Sequence, residues 1–306
     1  MFALLAKRIL WAIPTLWIIA TLTFFFLRLI PGGPFDQERQ YPPEIQANIQ
    51  AKYGLDQPMI VQYGRYLNGL IHGDPGPSLK YLGRSTRDII AETLPISLQL
   101  GSLALFLSLI IGLPLGILGA TRYRTAWDRT VIYLTSLGIS LPNFVLAAVL
   151  VMIFSYKLKI LPPALWEGPR YMLMPAFTLA VYPMAFIARL SRTALIETLQ
   201  KDFILTARAK GLSERSVILK HALKNAMTGV VSVLGPLTAA LITGSFIVEK
   251  IFAIPGMGQY FVTAVTNRDY PLVLGVTLVY AVFVIAMNFI VDWLYTVIDP
   301  RVRMEA

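Results

Sequence analysis

Six apolar runs of about 20 residues, near 9–30, 97–120, 131–155, 172–190, 227–248 and 272–298, constrain this chain more than any other feature. A run of that length crosses the roughly 30 Å hydrocarbon core of a bilayer as an α-helix, which satisfies its backbone N–H and C=O groups internally. The composition agrees: 56% of the 306 residues are hydrophobic and 14% charged, against about 25% charged in ordinary soluble domains. The expectation is an all-α integral membrane protein with six transmembrane helices, and a soluble enzyme is excluded. Lys7 and Arg8 precede the first run as they would a signal peptide. Its 22 residues exceed a signal-peptide core and no small-x-small cleavage site follows, so it is read as a retained helix.

Six spans put both termini on one side, and the basic residues choose which. The N-terminus, the 121–130 turn, the 189–226 loop and the tail from 299 together hold 15 of the 27 Lys and Arg residues with six acids, a net of +9. The opposite segments hold 11 basic and 10 acidic residues. The positive-inside rule makes the termini and the 189–226 loop cytoplasmic. The formal charge of +10 therefore reports topology and gives no reason to expect a nucleic-acid partner. The partner it implies is the lipid bilayer.

The chain divides into an N-terminal segment with the first span (1–30), a large outer loop (31–96), a five-span core (97–298) containing a cytoplasmic loop (191–226), and a short tail (299–306). The outer loop opens with Pro31-Gly32-Gly33-Pro34 and continues into a polar helix over 43–54, stopped by Gly54. A second amphipathic stretch runs from Met59 to Ile71. These form either a cap that docks an external partner or a solvated loop with two surface helices.

The inner loop has a sharper pattern. From Asp202 it has helical propensity on both sides of Gly211, which suits the left-handed position just past a helix end, and Ser213 can cap the next helix. The result is helix, sharp turn, helix. Ala207 and Ala209 beside Arg208 and Lys210 would let such an element lie in a groove of a cytoplasmic protein, or rest as a basic helix on anionic lipid.

Candidate path residues are fewer. Ser140-Leu141-Pro142-Asn143 interrupts the third span, either as a break exposing backbone polar groups to a cavity or, more simply, as a packed proline kink. Gly112, Gly116 and Gly119 thin one face of the second span for close helix packing. Arg28 is expected to snorkel to the interface, and Asp292, deeper in the last span, is read first as a structural partner at a subunit interface and second as a substrate contact. The Pro255-Gly256-Met257-Gly258 turn is a re-entrant or outer corner near a gate.

Other chemistries are poorly supplied. The chain has no cysteine, and its two histidines, His72 and His221, fall in loops. No G-x-S-x-G elbow provides a nucleophile, and no G-x-x-x-x-G-K-[ST] loop provides a nucleotide site. An ion-coupled secondary transporter would carry more buried ionisable groups than Arg28 and Asp292.

The 202–226 loop resembles the EAA loop of ABC importer permeases. Leu205, Thr206, Ala207 and Gly211 stand at the motif positions. The motif's Glu is absent, so no Glu-dependent contact carries over. The wording Thr206-Ala207-Arg208-Ala209-Lys210-Gly211-Leu212 is similar to that of the dipeptide and oligopeptide permease family. So are Arg8-Ile9-Leu10, the Phe26 to Gly32 exit, the Glu249 to Gly258 segment, Asn267-Arg268-Asp269-Tyr270-Pro271 and Asp299-Pro300-Arg301. The length and the Pro42-Pro43-Glu44 phrase most resemble that family's B-type subunits.

The resemblance implies a type I ABC importer permease fold (MetI-like), in the bacterial cytoplasmic membrane, carrying peptides. It implies a second related permease, two cytoplasmic ABC ATPase subunits and an extracytoplasmic peptide-binding protein. ATP and Mg²⁺ would sit in the ATPase subunits, with no cofactor and no catalytic site in this chain. The 203–216 element, including Leu205, Thr206, Ala207, Arg208, Ala209, Lys210, Gly211 and Leu212, would be the ATPase-coupling helix. Ser140, Pro142, Asn143, Pro255, Gly256 and Asp292 would be gate or path candidates. Relatives of the family also move nickel complexes, glutathione and oligosaccharides, so substrate is left open.

Overall fold

The computed structural model describes residues 2–30, 48, 50–81, 83–242 and 245–298. Among them the chain is built from helices α1 (Phe2–Leu29), α2 (Met59–Ile71), α3 (Thr86–Thr121), α4 (Ala126–Ser140), α5 (Asn143–Lys157), α6 (Pro169–Leu199), α7 (Asp202–Ala209), α8 (Leu223–Ile242), α9 (Phe246–Ile251), α10 (Met257–Thr266) and α11 (Tyr270–Ile298). No β-strand occurs among the described residues. Five helical stretches, in α1, α3, α6, Glu214–Ile251 and α11, are long and apolar enough to cross a membrane. The bent pair α4 and α5 supplies a sixth if counted as one span.

Several spans outrun the apolar runs that announce them. With 31 residues, α6 is about 46 Å long at 1.5 Å per residue, and it continues through Arg189, Arg192 and Glu197 to Leu199. What reads as the start of a loop is therefore helix. Charge ends an apolar run without ending a helix, because Arg and Glu are good helix formers.

The chain falls into two compact units, Met1–Ser97 with Pro255–Val282 and Leu98–Ile254 with Phe283–Ala306. In the first, α2 lays one face on α1: Phe24 stacks on Tyr66 with ring centroids 5.5 Å apart and meets Tyr63 edge-on at 5.2 Å. Ala20, Phe24, Tyr66 and Leu274 form one buried cluster, and Ile89, Met257, Ala264, Leu272, Val273 and Val276 another.

The Asn267-Arg268-Asp269-Tyr270-Pro271 phrase acquires a physical reason in this unit. Arg268 takes the left-handed position after α10 with φ 57°, and Asp269 caps α11 while Pro271 occupies its first turn, where no amide is missed. The fully buried Asp269 carboxylate accepts from the Ser78 hydroxyl and from the Leu79 amide at 3.1 Å, tying the 78–81 loop to the last helix.

In the second unit the glycine face of α3 packs on α6. A Cβ on Gly116 would stand 2.0 Å from Ser191 Oγ and 2.5 Å from the Ala188 carbonyl oxygen, and one on Gly112 would stand 2.7 Å from the Met184 carbonyl oxygen. The backbones approach too closely for any side chain, as the small-residue spacing of membrane helices allows. Near the end of this contact a buried ion pair joins α4 to α6. Arg192 donates from Nε to Asp128 Oδ1 at 2.6 Å and from Nη2 to Oδ2 at 2.9 Å. The Arg124 amide adds a third donor at 2.9 Å, so the 122–125 turn and both helices share one carboxylate.

Candidate functional site

Two features of the second unit stand out chemically, the element over 202–222 and the break between α4 and α5. In the first, Ile204 and Ala207 of α7 are buried with Leu195, Val217, Ala222, Ala226 and Ala120. That cluster binds α7 to α6, α3 and the lead-in to α8. The helix ends in a Schellman turn: Gly211 N–H donates to Arg208 O at 2.9 Å, Leu212 N–H to Ala207 O at 3.4 Å, and Gly211 has φ +76°.

Ser213 then caps the short turn Glu214–Ser216, its hydroxyl accepting from the Ser216 amide. A π-wound segment, Val217–Ala222, leads into α8. The sequence reading anticipated this helix, turn and cap because each signal is local. Arg208 and Glu214 also pair across the turn, Nε to Oε1 at 2.8 Å and Nη2 to Oε2 at 3.2 Å. Both are exposed, so the pair contributes at most about 1 kcal/mol, but it orients the turn.

The opposite side of this element is open. Leu205, Thr206, Arg208, Ala209, Lys210, Gly211 and Leu212 are exposed, as are Phe203 and Leu219. Leu205 is 56% exposed and Leu219 48%. A buried base thus carries an exposed knob of apolar side chains ringed by Arg208, Lys210 and Lys220. The motif singles out neither Phe203, at the start of the 203–216 element, nor Leu219 beyond it, and only the fold shows that both are exposed.

The second feature corrects the simpler reading of Pro142. The axis turns by 104° between α4 and α5, far more than a packed proline kink. Pro142 has no N–H to continue the ladder, and the α5 chain restarts from its carbonyl, which accepts from Val145 N–H at 3.0 Å. A cavity of about 590 Å³ borders the break, lined by Ser140, Pro142 and Asn143 together with Tyr182, Pro183 and Ser245. Neither the Ser140 hydroxyl nor the Asn143 amide bonds to a described residue, so both are available to a cavity occupant. Tyr182 and Ser245 are additions that the sequence could not supply.

The other candidates are not among the residues that line this cavity. Pro255 and Gly256 lead into α10 within the first unit, where the Met257 amide donates to Ser97 Oγ at 2.8 Å. Asp292 falls in α11, but its side chain lies outside the described residues, as do Pro31-Gly32-Gly33-Pro34, the start of the 43–54 helix and Asp299-Pro300-Arg301. Arg28, in the last turn of α1, lies over the Phe24 ring at 3.5 Å and donates from Nη2 to Gln62 Oε1 at 3.0 Å. The amide on α2 captures it. Among the described residues no group of His, Asp and Glu could hold a metal ion.

The geometry is that of a helical, multi-pass membrane chain with an exposed helix-turn-helix knob and a sharply bent helix pair beside a cavity. The chain belongs to the family described as binding-protein-dependent transport system inner membrane component, whose model matches residues 112–304, with the family's N-terminal model matching 1–82. It is 47% identical over 305 residues to the oligopeptide transport system permease protein OppB of Escherichia coli K12, covering 99% of this chain and 100% of that one. It is 46% identical over 296 residues to the dipeptide transport system permease protein DppB of Bacillus subtilis 168, with 96% of each chain covered. In fold it is similar to a chain of the inward-facing MetNI methionine ABC transporter, with TM-score 0.55 and 22% identity over 69% of this chain and 96% of that one. It is a MetI-like, all-α permease.

Proposed function

We propose that this chain is the transmembrane permease subunit of an ATP-driven ABC importer that translocates oligopeptides or dipeptides delivered by an extracytoplasmic binding protein. The observation that carries the reading is the near full-length identity to OppB, 47% with every part of that protein covered. A second related permease would complete the pore, and two cytoplasmic ATPases would hold ATP and Mg²⁺. The termini and the α7 turn face the cytoplasm on this reading, which the distribution of basic residues supports.

In mechanical terms, closure of the ATPases pushes on the exposed face formed by Phe203, Leu205 and Leu212. Because Ile204 and Ala207 are fixed in the buried cluster with Leu195 and Val217, the push is transmitted to α6 and α8 as rigid bodies. The cavity at Ser140, Pro142 and Asn143, bordered by α6 and α8 residues, then changes shape. Its backbone carbonyls and small polar side chains suit an extended peptide, whose amides can be met without regard to side-chain identity.

Uptake of radiolabelled tri-alanine tests the reading. A strain lacking this chain, and any other peptide permease, is expected to lose uptake by at least tenfold and regain it from a plasmid copy. Unchanged uptake of tri-alanine and of Ala-Ala, with loss of an unrelated solute, would reassign the cargo.

A further inference from the structure

The first unit holds a cavity of about 340 Å³ that shares no lining residue with the cavity at the α4–α5 break. It lies among the last turn of α1, α2, the 74–79 loop and the start of α11. Its lining is rich in hydrogen-bond donors that the protein does not use. Arg28 has five N–H groups and places three of them, on Gln62 Oε1 from Nε and Nη2 and on the Phe24 carbonyl from Nη1. Two remain without an acceptor among the described residues. Arg65 is exposed and makes no hydrogen bond or ion pair with a described residue. Its Nη1 lies 2.0 Å from where a Cβ on Gly54 would stand, so that glycine leaves room for the guanidinium.

Tyr66 is 9% exposed, lines the cavity, and its hydroxyl has no hydrogen-bond partner among the described residues. Burial raises its pKa well above the ordinary phenol value, as does neighbouring Tyr63, so it is a neutral donor at any working pH. One carboxylate, Asp74, also borders the cavity, with Oδ1 already accepting from the Gly76 amide at 3.0 Å. Among the described lining residues, two guanidinium groups against one carboxylate leave a single positive charge. A singly charged oxyanion would neutralise it and accept from all three idle donors.

The surroundings decide which oxyanion. Leu29 and Phe26 on α1, and Ile60, Val61 and Ile71 on α2, are exposed, Ile71 by 82%. In a membrane protein such a surface faces acyl chains. Arg28 stands in the last turn of a spanning helix, the level at which headgroup phosphates lie.

We propose that this cavity binds the phosphodiester of an anionic phospholipid, held by Arg28, Arg65 and Tyr66, with the acyl chains along the exposed apolar sides of α1 and α2. The lipid would brace α2 on α1 independently of what the importer carries.

The test is native mass spectrometry of the full transporter, delipidated and then titrated with dioleoylphosphatidylglycerol, with dioleoylglycerol as the neutral control. One phosphatidylglycerol per copy of this chain is expected to stay bound, at least about tenfold more tightly than dioleoylglycerol. Arg28→Gln and Arg65→Gln should each weaken it by about tenfold. Arg65→Gln touches an exposed, unpaired side chain and leaves folding intact. Tyr66→Phe should weaken retention a few-fold, yet leave the thermal midpoint of the lipid-depleted protein unchanged or higher, because the lost hydroxyl had no partner there. Equal retention of both lipids would overturn the proposal. So would protection of the delipidated protein by inorganic phosphate or tri-alanine in place of the lipid, or a lowered midpoint for lipid-depleted Tyr66→Phe. None of these outcomes depends on transport, so they stand apart from the peptide assignment.

Discussion

Gly211→Val is expected to leave the chain inserted and assembled while cutting substrate uptake by about tenfold or more. Gly211 holds φ +76°, and nothing lies within 4 Å of where its Cβ would be, so the effect comes from the backbone alone. A left-handed residue with a side chain costs about 1–2 kcal/mol, and β-branching adds to it. The turn relaxes, the hydrogen bonds to Arg208 O and Ala207 O are lost, and the knob over 203–212 no longer keeps its angle to the buried base. Purified transporter carrying the valine should still hydrolyse ATP, with hydrolysis no longer tied to uptake. Gly211→Asn, which tolerates the left-handed region, should keep most of the transport. Full transport by the valine variant would remove the coupling role from this element.

The second large effect concerns stability. Asp128→Ala strips the acceptor from Arg192 and from the Arg124 amide, leaving a guanidinium that is 16% exposed without its partner. Breaking a buried pair in this way costs about 3–5 kcal/mol. The expected readout is a large drop in thermal midpoint in detergent and poor recovery of the folded protein. Replacing both partners, Asp128→Leu with Arg192→Met, should recover much of that loss, since no buried charge is then left unpaired. A double variant as unstable as the single one would mean that the pair acts through the 122–125 turn and not through the helix contact.

These two predictions mark what the sequence made legible. The Gly211 turn, the Ser213 cap, the Gly116 face and the helix Met59–Ile71 were readable because each rests on neighbours a few residues apart. The spans were readable because 20 apolar residues leave a bilayer helix little alternative. The Asp128 and Arg192 pair was not readable. Its members are 64 residues apart, and both fell in segments that counted only as basic or acidic loop. The same holds for Arg28 and Gln62, 34 apart, and for Asp269 and Ser78, 191 apart. Such pairings leave no local periodicity.

Pro142 is an intermediate case. A proline after Ser140 signals a break but not its 104° angle, nor that Gly138 packs on Ala185 and Val181 of α6 beside it. The cavity beside it needs Tyr182 and Ser245, which no motif near Pro142 announces. The exposed face of α7 is similar: the motif names Leu205 to Leu212, while Phe203 and Leu219 join them only once the buried side of α7 is known.

If this chain works as one subunit of an ATP-driven importer, its partners travel with it. A tagged copy, extracted gently from its native membrane, should bring down a second six-span permease and two P-loop ATPases in stoichiometric amounts by mass spectrometry. Recovery of this chain alone, under conditions that keep a known ABC importer intact, would contradict the account and point to a transporter sufficient in itself.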